Sequence, residues 1–224
     1  MITLGIDSST DRLGAGLSDG RRVIGEDLVT TDREHASQII GLIDAVLIDC
    51  DIDKKDLQAI AVGIGPGSFT GLRVGLAVAK GLVLALNIPL IGISTFDVIA
   101  RRLRSKSPDF YLASPVRRGE FYLGHTTAEN NPGAAIEIVA ESELVLRIGE
   151  KPLGFIGRRP QSLGDEIPSE INPAELYISG GELALLGAER LESGESDNPA
   201  DLEPYYIAPS QAELKFAERK NKNS

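Results

Sequence analysis

The chain has 224 residues, of which 42% are hydrophobic and 25% charged, proportions typical of a globular protein with one large domain or two small ones. Its 33 acidic and 23 basic residues give a formal charge of −10, the wrong sign for a surface that binds nucleic acid by itself. A single cysteine, Cys50, excludes an internal disulfide, and the opening MITLGIDSST does not resemble a cleavable leader, so we expect a cytoplasmic protein.

The first part of the chain begins with strand-like segments. The apolar run ITLGID ends in four turn-forming residues, DSST, and two further strand-like runs lie on either side of Asp19-Gly20, a dipeptide typical of a two-residue hairpin. These patterns predict three antiparallel strands. Thr31 and Glu34 then have the spacing of a capping box, which predicts that a helix begins there.

Alternating strands and helices are predicted from this point to about residue 104. The run LQAIAVGIG is continuously apolar, as expected of a strand covered on both faces, and NIPLIGIS is a second such strand that begins at Pro89. A helix over Thr70–Leu86 separates them, and another runs from Thr95 to Arg104. The predicted order is three strands, helix, strand, helix, strand, helix.

Both long helices have more apolar surface than one buried face needs. In the first, one set of residues falls at helical spacing and a second set widens the stripe: Ala36, Ile39, Ile40, Ile43, Val46 and Leu47, then Leu42, Ala45 and Ile48. In the second, small residues repeat at four-residue spacing on two nearly opposite sides: Gly71, Gly75 and Ala79, then Ala77, Gly81 and Ala85. One side can pack on a sheet. The other is either free for a partner or covered by this chain's own helices.

The glycine-rich loop before the second helix, GIGPGSFTG, fits no standard phosphate motif. It lacks the Gly-Lys-Ser/Thr end of a Walker loop and misses the G-x-G-x-x-G dinucleotide spacing by one residue. A phosphate cradle and a plain strand-to-helix turn both stay open. The helix itself is too short for a membrane span and contains Arg73 and Lys80, so we expect no membrane contact.

The second half repeats the strand-rich pattern less clearly. DFYLASPV and GEFYLGHTTA are predicted to pair around Arg117-Arg118-Gly119, and AAIEIVAESELV and PLGFIG are predicted to be further strands. Ser179 has the residue type and position of a helix cap for ELALLGAERL. A last short helix is predicted to fray into a basic tail.

Five strings occur in the order and at the spacings of the TsaB (YeaZ) family, which the sequence resembles most closely up to about residue 100: LGIDSST, REHASQIIGLIDAVL, GPGSFTGLRVGLAVAKG, RRGEFY and LEPYYIAP. The resemblance implies an α/β, actin-like or sugar-kinase-like ATPase fold of two lobes, each with a mixed five-stranded sheet and helices. Residues 1–104 would form the N-terminal lobe with the partner-binding helices. Residues 105–224 would form the C-terminal lobe, whose terminal helix over 209–220 could pack back on the first lobe.

The resemblance also implies a function. It would make the chain a non-catalytic scaffold subunit of the bacterial complex that makes threonylcarbamoyladenosine next to the tRNA anticodon, pairing with a TsaD-like catalytic subunit and recruiting a TsaE-like ATPase. Pairing would use Glu34–Asp49 and Thr70–Leu86, tRNA would be reached only through the complex, and the chain alone would form a homodimer. The expected interface residues are His35, Ile39, Leu42, Ile43, Val46, Gly71, Leu72, Gly75, Val78 and Ala79.

No catalytic residue and no metal site are predicted, and no cofactor is required. Weak binding of ATP or ADP with magnesium stays open, because five residues lie where actin-like ATPases hold phosphate: Asp7, Ser9, Thr10, Gly67 and Ser68. The second lobe departs from the family pattern, since Pro115-Val116 stands where an acid is usual. The alternative function is an actin-fold enzyme, either a small-molecule kinase or a glycoprotease-like peptidase, although His35 and His125 lie far apart in the sequence.

Overall fold

The computed structural model describes residues 1–30, 35–129, 131–157, 159–164 and 166–205, and of residues 35–37 it describes the backbone alone. Its strands form two mixed sheets, and helices pack against the faces of both sheets. The predicted two-sheet α/β architecture is confirmed. The capping box at Thr31–Glu34 and the terminal helix over 209–220 lie outside the described residues.

The first sheet has five strands in the order β3-β2-β1-β4-β5, and their bounds are β1 (Thr3–Asp7), β2 (Arg12–Ser18), β3 (Val23–Thr30), β4 (Ala59–Gly65) and β5 (Leu90–Ser94). β1, β4 and β5 are parallel, whereas β2 and β3 run antiparallel to their neighbours. The three parallel strands therefore end at the same edge of the sheet. Asp7, Gly65 and Ser94 lie at that edge, which is where open α/β sheets place their binding sites.

Two long helices, α1 (His35–Asp49) and α2 (Phe69–Leu86), cover one face of the first sheet, and α3 (Thr95–Leu103) follows β5. Side chains alternate along β1, as in any strand. Leu4 and Ile6 point into the core beneath α1 and α2. Gly5 points to the opposite face.

The second sheet has four strands in the order β8-β7-β6-β9, and the bounds of its elements are β6 (Phe110–Arg117), β7 (Glu120–Thr126), β8 (Ile136–Ala140), α4 (Glu141–Ile148) and β9 (Leu153–Phe155). The expected fifth strand is reduced, among the described residues, to one isolated bridge between Leu153 and Glu170. Pro168 and Pro173 bracket this segment, and proline has no amide hydrogen to donate to a neighbouring strand. The prediction of five strands in this sheet is therefore corrected to four in the described part of the chain.

Two local predictions in the sequence also need correction. AAIEIVAESELV is not one strand, because β8 ends at Ala140 and α4 follows, with Leu144 and Ile148 buried one helical turn apart. The turn between β2 and β3 has four residues rather than two. The Asp19 carboxylate accepts hydrogen bonds from the amides of Arg21 and Arg22 at 2.8 and 3.0 Å, which stabilises this longer turn.

The last described helix, α5 (Gly180–Glu192), follows the second sheet in the chain but packs on the first, on the face opposite α1 and α2. The contact is close because glycine faces glycine: a Cβ atom on Gly5 would lie 2.0 Å from the Gly180 oxygen. Ser179 caps the helix as predicted, accepting a hydrogen bond from the Glu182 amide at 3.0 Å. A lobe boundary near residue 104 stays a prediction, but α5 belongs to the first sheet in space.

Buried apolar side chains join the two sheets. Phe96 of α3, Phe110 of β6 and Leu183 of α5 are fully buried in one shared cluster. Arg102 of α3 also binds the Glu182 carboxylate of α5, with 3.1 Å between its Nε atom and Oε1. This partly buried, charge-assisted ion pair holds α3 in a fixed orientation against α5. Burial of the apolar cluster supplies most of the stabilisation.

Candidate functional site

Polar groups of the loop after β1 form hydrogen bonds with one another. The Asp7 Oδ2 atom accepts hydrogen bonds from the Ser9 amide at 3.1 Å and from the Ser9 hydroxyl at 2.9 Å. The Thr10 hydroxyl accepts a hydrogen bond from the Arg12 amide at 3.1 Å. The Ser9 and Thr10 hydroxyls and the Asp7 Oδ2 atom thus have hydrogen-bond partners within the loop, as short polar side chains commonly do in turns, whereas Asp7 Oδ1 has none among the described residues.

The glycine-rich loop before α2 lies directly against the loop after β1. The Ser68 amide donates a hydrogen bond to the Ser9 oxygen at 2.6 Å, and the Ser68 hydroxyl caps α2 by accepting one from the Gly71 amide at 3.3 Å. A Cβ atom on Gly67 would lie 2.5 Å from the Ser9 oxygen. The structure therefore brings Ser9, Gly67 and Ser68 together, but leaves less room between them than a methyl group needs.

Asp7 lies at the base of these loops and is 1% exposed. Burial raises the pKa of Asp7 from 3.8 to about 7, although the hydrogen bonds from Ser9 act in the opposite direction. Weak binding of magnesium-bound nucleotide at this loop stays a prediction. Across the described ranges, no group of three or more His, Cys, Asp or Glu side chains is placed to hold a metal ion.

Most of the predicted interface side chains are buried in the chain's own core. Eight of the residues are buried: Ile39, Leu42, Ile43, Val46, Gly71, Leu72, Gly75 and Ala79. The centre of each apolar stripe faces the sheet, and a partner contact at these eight positions stays a prediction. Val78 is half-buried, and the side chain of His35 lies outside the described residues.

Other apolar residues on the same helices remain exposed. Ile48 and Leu84 are each 76% exposed, and Ile40 and Phe69 are 44% and 40% exposed. Small residues between them are also exposed: Gly41, Ala77, Gly81 and Ala85. We call these eight residues the α1/α2 surface. Exposed leucine or isoleucine is common singly, but four large apolar residues on two adjacent helices are typical of an interaction site.

The physical origin of this surface is a helix with apolar residues on nearly every side. On α2 the buried residues Leu72, Leu76 and Val83 repeat at helical spacing and face the sheet. Phe69 and Leu84 fall on the arc that faces away. These two residues were not predicted, because helical periodicity singles out only the residues that continue an apolar stripe. Their position opposite the stripe was the signal that could have found them.

By length and composition alone, α2 could also cross a membrane. This is weak support for a span, because core helices of globular proteins pass the same test. Six residues of α2 are buried within the chain, Gly71, Leu72, Gly75, Leu76, Ala79 and Val83. A Cβ atom on Gly71 would lie 1.9 Å from the Ser8 oxygen. The helix is therefore packed tightly as part of the first sheet's core.

The remaining candidate residues have structural contacts. Arg117 forms a two-point ion pair with Glu120, with its Nε atom 2.7 Å from Oε2 and its Nη2 atom 2.9 Å from Oε1. His125 Nε2 lies 2.7 Å from an Asp109 oxygen, on the outer face of the second sheet. Burial raises the pKa of the Cys50 thiol, which does not suit a nucleophile.

Comparison with known proteins places the chain in a family. The family model described as tRNA N6-adenosine threonylcarbamoyltransferase (TsaD) matches residues 29–149, a little over half of the chain. The tRNA threonylcarbamoyladenosine biosynthesis protein TsaB of Bacillus subtilis is 29% identical, over 97% of this chain and 99% of its own length.

Solved structures agree on the fold. YeaZ from Pseudomonas aeruginosa has a TM-score of 0.76 at 21% identity and covers 92% of this chain and 99% of its own. An activator of 2-hydroxyisocaproyl-CoA dehydratase from Clostridium difficile, solved with bound ADPNP, has a TM-score of 0.52 at 10% identity, over 88% of this chain and 99% of its own. The predicted actin-like, sugar-kinase-like fold is thereby confirmed. The chain belongs to the TsaB (YeaZ) family.

Proposed function

We propose that this chain is a non-catalytic subunit of the assembly that makes threonylcarbamoyladenosine in tRNA, and that it acts by docking through the α1/α2 surface. The relative from B. subtilis, which matches almost end to end, is named for that biosynthesis. The observation that carries the docking role is the exposure of Ile48 and Leu84, large apolar side chains on the two helices. Fully burying each would be worth about 1.5–3 kcal/mol.

The proposed main partner is a TsaD-like catalytic subunit. The TsaD family model matches residues 29–149, a range that contains both α1 and α2. A TsaD-like protein should therefore carry equivalent helices on an equivalent sheet. Two related chains can meet through the same pair of helices around an approximate two-fold axis, as identical subunits do around an exact one.

The same reasoning gives a homodimer when the chain is alone. A second copy presents the identical α1/α2 surface, so the contact is self-complementary and closes on itself. A TsaD-like partner would then compete with the second copy for one surface. Because the heterodimer is the proposed functional state, the homodimer should be the weaker of the two complexes.

A TsaE-like ATPase and the tRNA complete the proposed assembly. The formal charge of −10 disfavours direct tRNA binding by this chain, because such binding is driven by displacing cations from phosphates. Arg117, the last residue of β6, forms an ion pair with Glu120. The tRNA would therefore be bound by the partner subunits, and no nucleotide would be needed on this chain.

The direct test is a reconstituted modification reaction. Threonylcarbamoyl transfer to tRNA is followed with a TsaD-like subunit, a TsaE-like ATPase and this chain, and each component is left out in turn. We expect the full set to modify tRNA, omission of this chain to reduce modification at least about tenfold, and this chain alone to show none. Equal activity without the chain, or sustained ATP hydrolysis by the chain alone, would contradict the proposal.

A further inference from the structure

The last described residues of the chain lie on the α2 face of the first sheet. The Tyr205 amide donates a hydrogen bond to the Ile64 oxygen at 2.7 Å, near the end of β4. Leu202 packs against the apolar cluster that contains the buried residues of α2. A Cβ atom on Gly92 of β5 would lie 2.9 Å from both the Leu202 and the Ile64 side chains. Residues 206–224 therefore begin on the β5 side of α2.

α2 has one side turned towards β1 and the other towards β5. Gly71 faces the loop after β1, since a Cβ atom on it would lie 1.9 Å from the Ser8 oxygen. β1 and β5 are on opposite sides of β4 in the sheet. At about 3.6 residues a turn, the positions about 140–180° around the helix from Gly71 face the β5 side. We call the four residues at these positions the α2 flank: Phe69, Arg73, Lys80 and Leu84.

The α2 flank combines exposed apolar surface with a lysine that lacks an acidic partner. Leu84 is 76% exposed and Phe69 is 40% exposed. Lys80 lies one helical turn before Leu84 and forms no ion pair in the described part of the chain, where the other lysines each pair with a carboxylate: Lys54, Lys55, Lys106 and Lys151. An occupant of this flank should therefore present an apolar and an acidic residue one helical turn apart.

The sequence of residues 206–224 has this pattern. In the helix predicted there, Leu214, Ala217 and Glu218 have the spacing of one helix face, and three basic residues fall on the opposite side: Lys215, Arg219 and Lys222. If this helix lies antiparallel to α2, Leu214 meets Leu84 when Glu218 meets Lys80, because both pairs are four residues apart.

The segment is also long enough to reach the flank. Phe69 and Leu84 are separated by about 22 Å along α2, at a rise of about 1.5 Å per residue. The chain from Tyr205 to Leu214 spans up to about 30 Å when extended. Leu214 can therefore reach Leu84 from the point where Tyr205 is held.

We propose that residues 206–224 dock on the α2 flank of their own chain and compete there with a partner. The docking belongs to the lone chain, whereas the competition rests on the proposed function. A short tether gives an effective concentration of about 1 mM, so a contact with a Kd of about 0.1 mM would be occupied about nine-tenths of the time. An intrinsically weak contact is thus enough to cover the flank.

The docking is tested with an apolar photo-cross-linking amino acid at position 84 of the full chain, without a partner. Heavy and light isotope-labelled chains are mixed at low concentration, so that cross-links within one chain are distinguished from those between copies. We expect within-chain cross-links to residues 206–224 that fall about fivefold in Leu214→Glu. Phe216→Glu, the same kind of change on the opposite side of the predicted helix, should leave them unchanged. Cross-links only between copies, or none to residues 206–224, would overturn the proposal.

The competition is tested by binding measurements on chains without the cross-linker. Leu214→Glu should tighten binding of a TsaD-like subunit about tenfold and self-association about 100-fold, because one segment must leave in the first case and two in the second. Phe216→Glu should change neither affinity. Equal affinities for the wild type and Leu214→Glu would overturn the competition. If the wild-type chain binds no TsaD-like subunit at all, the proposed function fails, while the within-chain cross-links still decide the docking.

Discussion

Ile48→Glu and Leu84→Glu together should weaken binding to a TsaD-like subunit at least about 100-fold and abolish self-association. Each substitution removes a large apolar side chain that the partner would bury, and places an unpaired carboxylate there instead. A hot-spot residue at the centre of an interface costs about 2 kcal/mol or more when truncated, and a loss of about 1.4 kcal/mol at each of the two positions already weakens binding about 100-fold. Binding is measured by titration calorimetry, and self-association by light scattering.

The matched control for this experiment is Leu146→Glu. Leu146 lies on α4 beside the second sheet and is 87% exposed, so the chemical change and the initial exposure are similar while the surface differs. We expect Leu146→Glu to leave both contacts unchanged. All three positions are exposed, so the free energy of unfolding should change by no more than about 0.5 kcal/mol per substitution. If the control and the double variant weaken binding equally, the α1/α2 surface is not the docking site.

Gly71→Ala should lower the free energy of unfolding by about 3 kcal/mol or more, the upper end of the usual cost of overpacking. The added Cβ atom would lie 1.9 Å from the Ser8 oxygen, a backbone atom that a side-chain rotation cannot move aside. Either α2 or the loop after β1 must shift. Urea unfolding of the monomeric chain measures the effect.

Gly81→Ala provides the opposite expectation on the same helix. A Cβ atom at Gly81 meets nothing within 4 Å, so alanine gains helix propensity without a clash. The free energy of unfolding should rise by about 1 kcal/mol. A result in which both variants are equally destabilised would mean that the two sides of α2 are not packed as described here.

The parts of the fold that were predicted correctly are those in which one local pattern dominates. The runs that became β1, β4 and β5 are apolar throughout and bounded by turn residues, and the structure covers each of them on both faces. AAIEIVAESELV was harder because alternation in its first half gives way to helical spacing after Ala140. A short segment that changes period midway carries too few residues of either kind to be divided with confidence from sequence.

The contacts that shape the candidate site could not be predicted from local sequence patterns. Two adjacent glycines, Gly180 and Gly181, begin α5, and Gly180 is needed because α5 crosses the backbone of β2. Nothing in the local sequence shows that a helix after the second sheet returns to the first. The close approach of Gly63 to Asp7 likewise joins residues that are far apart in the chain.

The breadth of the apolar stripes could be predicted, but the division between core and surface could not. The excess of apolar residues on α1 and α2 was visible, and the structure leaves part of it exposed. Which residues form that part depends on the rotation of each helix about its axis, and the sheet sets this rotation. The buried stripe on α1 included Ile39 and Ile43, and the exposed remainder included Ile40 and Ile48.

The most direct test of the docking account is a photo-cross-linking amino acid placed at position 84, with the same group at position 146 as the control. The chain is mixed with a TsaD-like subunit, irradiated, and the products are mapped by mass spectrometry. The account predicts cross-links from position 84 to the partner's helices that correspond to α1 and α2, and none from position 146. Cross-links from position 146 alone, or from position 84 to an unrelated part of the partner, would contradict it.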